Sequence, residues 1–171
     1  EVFKDPVVLK GHQGPVTSLA FVNNGLQLVS GGTDGTLRTW NVADGKAGLV
    51  VGAHVGSVTS ILSKDGGAVS SGEDGSIKSW NLLTKESSSN DKKHATPVIA
   101  FAISNDGAMI ATASKDALIK INSGEGFKTS RDIDTKFAGL NKISLSSDKK
   151  WVVAGNDKGV ANVWSVADGK L

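Results

Sequence analysis

The chain has 171 residues, 39% hydrophobic and 21% charged, with a formal net charge of +2, which describes an ordinary globular chain long enough for one domain with a core. No run approaches the roughly 20 consecutive apolar residues of a membrane helix. The total lack of cysteine excludes disulfides, thiolate nucleophiles and zinc thiolates. Only Arg38 and Arg131 are arginine among the nineteen basic residues, which argues against a dedicated nucleic-acid surface. Twenty-one glycines against three prolines point to many tight turns. The chain opens at Glu1 without a signal peptide. Processing, trimming and excerpting from a longer protein are all compatible with that start, and a soluble, cytoplasmic setting is the expectation.

In chain order, Pro6-Val7-Val8-Leu9-Lys10 is predicted as an outer strand arriving before the first repeat unit. Val16, Leu19 and Phe21 then mark a first strand. Asn23-Asn24-Gly25 turns it into Leu26–Val29, Thr33-Asp34-Gly35 turns again into Leu37–Trp40, and Leu49-Val50-Val51 makes a fourth strand. Asn-Gly and Asp-Gly between alternating runs are strong hairpin signals. They recur as Lys64-Asp65-Gly66, Glu73-Asp74-Gly75 and Asn105-Asp106-Gly107. The segments beginning Val16, Val58, Val98 and Leu140 start 42, 40 and 42 residues apart. A repeat of that period is the signature of a propeller or solenoid. The predicted fold is all-β, with four four-stranded antiparallel blades, as a half-propeller or a propeller fragment. The units span residues 1–51 with the N-terminal strand, 52–93, 94–135 and 136–171, the last one completed by residues 6–10 of the same chain or, in a dimer, by those of the partner. The polar stretch Glu86–Lys93 falls where the second unit needs its outer strand, and it reads as a solvated edge strand or loop.

Gly11-His12, Asp34 and Trp40-Asn41 resemble the WD40 repeat, with Asn41 where that repeat usually ends in Asp. Ala53-His54, Asp74 and Trp80-Asn81 match again. The third unit keeps His94, Thr112 and Asp116 but has Asn122 at the Trp position. The fourth keeps only Trp164, with Lys136, Ala154 and Lys158 at the other places. The resemblance implies structural tetrads: Asp34, His12, Ser30 and Trp40 in the first unit, and Asp74, His54, Ser70 and Trp80 in the second. It makes the third and fourth units the expected weaker half.

Ser30, His12 and Asp34 are also the residue types of a hydrolase triad. The set recurs in the second unit and carries no G-x-S-x-G glycines, so the structural reading is preferred. His12, His54 and His94 fall one per unit, unlike the close pairs of metal ligands. Gly31-Gly32 and Gly124-Glu125-Gly126 read as turns and not as a phosphate cradle. No cofactor is expected. Trp151, beside Val152-Val153, is expected to be packed.

The loops between units and the second-to-third turns ring one face, which the resemblance makes a docking surface. The ring comprises Gln13, Pro15, Thr33, Val55, Ser57, Glu73, Thr96, Lys115, Lys142 and Asn156. A non-catalytic scaffold docking a protein or peptide there is the preferred function, without nucleic acid or membrane as partner. The alternatives are a small-molecule or glycan binder, or an enzyme built on a propeller. The absence of tyrosine leaves little for a sugar-stacking platform. Since the resemblance implies rings of seven, six or eight blades, a homodimer completing eight is expected ahead of a closed four-bladed monomer, with a fragment of a larger propeller as its rival.

Overall fold

The computed structural model describes residues 6–89, 93–124 and 127–171. Among these there is no α-helix, and four antiparallel sheets follow one another along the chain. The first contains β1 (Val16–Val22), β2 (Gln27–Gly32), β3 (Thr36–Asn41) and β4 (Ala47–Gly52). The second contains β5 (Val58–Lys64), β6 (Gly67–Gly72), β7 (Ile77–Trp80) and β8 (Ser87–Ser89). The third contains β9 (Val98–Ile103), β10 (Met109–Ser114), β11 (Leu118–Ser123) and β12 (Thr129–Asp134). The fourth has three strands, β13 (Leu140–Leu145), β14 (Trp151–Asn156) and β15 (Ala161–Ser165).

Each sheet is a meander whose turns follow from the local sequence. Gly35 and Gly75 take φ of +70° and +76°, a conformation glycine adopts without steric cost. A Cβ on Gly35 would also stand 2.6 Å from the His54 carbonyl oxygen. Every inner strand carries a register shift at the same place, between Val16 and Ser18, Val58 and Ser60, and Leu140 and Lys142, and beside Ser114 opposite Val98. That recurrence is a repeat written in backbone geometry.

The core lies between sheets, since each sheet is apolar on both faces. Val29 and Leu37 press on Val58, Ile61 and Trp80. Val69 and Ile77 meet Ile110 and Phe127. Ile119 and Ile121 meet Leu140, Val152 and Trp164. The inner strands pack in chain order, β1 on β5, β5 on β9 and β9 on β13, so the sheets form an open arc.

Three expectations change. Residues 6–10 form no strand, and the fourth sheet lacks its fourth strand. The reason is spatial: β15 ends the arc far from the first sheet, so no edge is available for that segment to pair with. Trp151 is half exposed, because it lies on the outer face of the last sheet. The polar stretch after Glu86 does supply β8, a wholly exposed edge strand. Its residues 90–92, and Glu125 and Gly126 of the glycine-rich turn, lie outside the described residues.

Candidate functional site

The structure brings Asp34, His12, Ser30 and Trp40 into one chain of hydrogen bonds. Trp40 Nε1 donates to Ser30 Oγ at 2.8 Å, and His12 Nε2 stands 2.8 Å from the same oxygen. His12 Nδ1 is 3.0 Å from Asp34 Oδ2. The carboxylate can only accept, so in the neutral tautomer Nε2 is left without a proton and the serine hydroxyl donates to it while accepting from the indole. The proton of the neutral ring then sits on Nδ1 and is donated to the carboxylate. The second unit repeats the arrangement: Trp80 Nε1 to Ser70 Oγ at 2.8 Å, His54 Nε2 to Ser70 Oγ at 2.7 Å, and His54 Nδ1 to Asp74 Oδ1 at 3.0 Å.

Two further hydroxyls join that the sequence reading did not single out. Thr36 Oγ1 donates to Asp34 Oδ1 at 2.8 Å, and Ser76 Oγ donates to Asp74 Oδ1 at 2.7 Å. Their signal was the recurrence of Asp-Gly-Thr and Asp-Gly-Ser in the two equivalent turns. Burial works to raise the Asp34 carboxyl, but hydrogen bonds from Gln13, Thr36 and His12 outweigh it and hold the group well below the usual range. Burial likewise opposes Ser76, Val55 and His54 at Asp74, whose pKa is lowered to about 2. Burial holds His54 below the ordinary imidazole value, against the pull of Asp74. The serine reached by each His is buried and accepts from an indole N–H.

The third unit is half-built. His94 Nε2 meets Thr112 Oγ1 at 2.9 Å. His94 Nδ1 lies 3.5 Å from Asp116 Oδ2, and neither atom completes a hydrogen bond. Asn122 is buried where the Trp would stand. In the fourth unit Trp164 packs instead against Phe137, with ring centroids 5.9 Å apart.

The tetrads pin the loops above them. Gln13 N donates to Asp34 Oδ2 at 2.8 Å and Val55 N to Asp74 Oδ2 at 3.1 Å. Thr33 N bonds the Pro15 carbonyl at 3.0 Å, and Glu73 N bonds that of Ser57 at 3.0 Å. Ser57 N returns a bond to Glu73 Oε2 at 2.9 Å. Thr96 Oγ1 meets Ser114 Oγ at 2.5 Å, and Asn156 Nδ2 reaches the Ala138 carbonyl at 3.3 Å. Gln13, Pro15, Thr33, Val55, Glu73 and Lys115 are exposed on this end. Lys142 departs from the expected ring of loops: it lies within β13, paired with Gly155. A groove of about 500 Å³ runs between the third and fourth sheets, lined by Ile99, Lys115, Leu140 and Asp157. Among the described residues no group of three His, Asp or Glu is placed to hold a metal ion, and no helix is long and apolar enough to cross a membrane.

With the site described, comparison with known proteins gives a consistent picture. The family model described as "WD domain, G-beta repeat" matches residues 4–41, 45–81 and 86–122. Nuclear distribution protein nudF of Aspergillus niger is 28% identical over 186 residues, covering 98% of this chain and 41% of its own length. The chain therefore spans less than half of that relative. Among solved structures, the computationally designed Ika4 protein superposes with a TM-score of 0.83 at 28% identity, covering 96% of this chain and 99% of that one. A chain of the mitotic checkpoint complex superposes with a TM-score of 0.78 at 23% identity, covering 92% of this chain and 51% of that one, and shows the fold alone.

Proposed function

Because the chain belongs to the WD-repeat family, we propose that it is a non-catalytic scaffold that docks a protein or peptide on the loop-bearing end of its blades. The observation that carries this reading is the pinning of Gln13 and Val55 by the half-buried carboxylates of Asp34 and Asp74. A loop whose backbone N–H is tied to a buried network presents its side chains in one arrangement, and such preorganisation lowers the ordering cost of binding. The exposed side chains there are mixed, with Val55 apolar, Gln13 and Thr33 polar, and Glu73 near Lys115. That mixture suits a polypeptide better than a single small molecule. The serine of each triad-like set is spent on the indole and the imidazole, which supports the non-catalytic part of the reading.

The test is selection of a displayed random peptide library on the immobilised chain. Enriched peptides are expected to lose at least about tenfold in affinity on Val55→Arg, as at a central interface position, and to be indifferent to Asn105→Arg at the opposite end. Binding that follows Asn105 instead, or neither residue, overturns the assignment of the face. A hydrolase screen is expected to give background only, and turnover abolished by Ser30→Ala with the melting curve preserved overturns the non-catalytic part.

A further inference from the structure

Four sheets make three interfaces, and two apolar faces remain at the ends of the arc. Equivalent residues differ only in whether a neighbouring sheet stands against them. Val58 and Ile61 on β5 are 0% and 2% exposed where they press on the first sheet. Their counterparts on β1, Val16 and Leu19, are 50% and 59% exposed, with Phe21 exposed on the same face. At the other end, Ile121 on β11 is 4% exposed against the fourth sheet, while its counterpart Val163 on β15 is 45% exposed. Trp151, on that same outer face, is 48% exposed.

The two faces are complementary in the sense of an interface the chain already contains. Between the first and second sheets, Val58 and Ile61 sit over Gly31: a Cβ there would stand 2.5 Å from Val58 Cγ1 and 2.9 Å from Ile61 Cδ1. The counterpart of Gly31 in the fourth sheet is Gly155. A Cβ on Gly155 would meet nothing nearer than 3.7 Å. The arc thus ends in a hollow at Gly155 and in the matching Val16–Leu19 ridge at its other end.

The strand edges carry the same message independently. A Cβ on Gly45 of the first sheet would meet Val7, and Leu9 at 3.3 Å. On Gly169, at the equivalent turn of the fourth unit, it would meet Ile133 of β12 at 3.4 Å. Residues 6–10 therefore lie against the first sheet in the place that the outer strand β12 takes against the fourth. They occupy the outer-strand position of a preceding sheet, and the sheet lacking an outer strand is the fourth. One chain cannot bring its own two ends together, because they lie at opposite ends of the arc.

We propose that two copies of this chain close a single ring, the Val16–Leu19 face of each packing over Gly155 of the other, with residues 6–10 of each added beside β15 of the other. The contact joins unlike faces, and such head-to-tail contacts close when the rotation allows. Two copies then make two identical contacts, cover all four apolar faces and leave no free β15 edge, which would otherwise invite indiscriminate pairing. The inference does not rest on the docking reading.

The experiment is light scattering on the purified 171-residue chain, with two variants. Wild type is expected near 35 kDa, twice the 17.6 kDa of one chain. Leu19→Asp damages one face. Gly155→Leu fills the other, and it leaves the arc itself undisturbed because its Cβ enters open space. Each variant alone is expected to run as a monomer with a cooperative melting transition. Mixed in equal amounts, they are expected to recover the dimer mass through the one intact contact, the Gly155 face of the Leu19→Asp copy with the Leu19 face of the Gly155→Leu copy. A wild-type monomer that melts cooperatively overturns the proposal and assigns the faces to further blades of a longer chain or to another protein. A ladder of larger masses overturns ring closure. Two monomeric variants that fail to recover a dimer on mixing overturn the pairing of unlike faces.

Discussion

The first two units and the last two solve the same problem differently. In the former, a Trp, a hydroxyl, a His and an Asp are fully joined, the indole and imidazole nitrogens each meeting a partner. In the fourth, the imidazole and the hydroxyl are replaced by Lys136 and Ala154, and Trp164 packs on Phe137. The third keeps the His, the hydroxyl and the Asp and the joint between His94 Nε2 and Thr112 Oγ1, but leaves His94 Nδ1 and Asp116 Oδ2 buried without a hydrogen bond. A network stabilises only when it is complete, and a half-satisfied one is worse than an apolar replacement. The weak point of the molecule is therefore the third unit, and the fourth is not weak for want of a tetrad.

The largest test of this contrast is removal of the imidazoles. His54→Ala and His12→Ala each strand a carboxylate and a buried serine, and should cost about 3 kcal/mol in urea unfolding. His94→Ala removes one good hydrogen bond and one orphaned atom, and should cost about 2 kcal/mol. Equal losses at all three positions would erase the difference between the units.

Acid comes next. Burial holds His54 and His94 below the ordinary imidazole value of 6.5. The unfolded chain therefore binds protons first as pH falls. Their contribution to stability is complete above pH 6.5 and is lost as pH drops below it. Asp74, lowered from 3.8 to about 2, withdraws its own contribution as pH falls through that window. The melting temperature should decline with acid on the imidazole limb, and less steeply in His54→Ala. A flat profile through that range would mean that the rings bind protons equally well in the folded and unfolded chains, and that burial does not hold them neutral.

A smaller effect, of opposite sign, is expected at Ala117. It holds φ of +63° at the turn where the other three units place Gly35, Gly75 and Gly159. Relieving a left-handed alanine is worth about 1 kcal/mol, so Ala117→Gly should raise the unfolding midpoint. No gain would show that the third unit carries its strain elsewhere. The smallest effect belongs to Lys136, which stands where the other units have His but has no tetrad to join. Lys136→Ala should stay within about 0.5 kcal/mol of wild type.

What could be foreseen from the residues divides along physical lines. His12, Asp34, Ser30 and Trp40 were legible because a local hydrogen-bonded unit recurs at a fixed spacing and brings its own partners. Thr36 and Ser76 were visible only as a recurring Asp-Gly-hydroxyl turn. Trp151 and residues 6–10 were misjudged for one shared reason. The pattern of a strand says which side chains leave the backbone together, but not whether another sheet stands opposite. At the ends of an arc that depends on neighbours beyond the local sequence, so a packed Trp and an exposed one read alike. Lys142 belongs to the strand that begins at Leu140 and not to the loop before it, so it stands in β13 beside the bulge and outside the ring of loops.

The placement of the four tryptophans gives the molecule a built-in optical gauge. Trp40, Trp80 and Trp164 are buried inside single chains whatever happens around them, whereas Trp151 alone faces solvent. Their emission is a constant blue background, and Trp151 supplies the red, quencher-accessible component. If its face is covered, by whichever partner, the spectrum shifts blue and acrylamide or iodide loses its grip on one fluorophore in four. Occupancy of that face can therefore be followed by titration in an unlabelled protein, with Trp151→Phe as the blank.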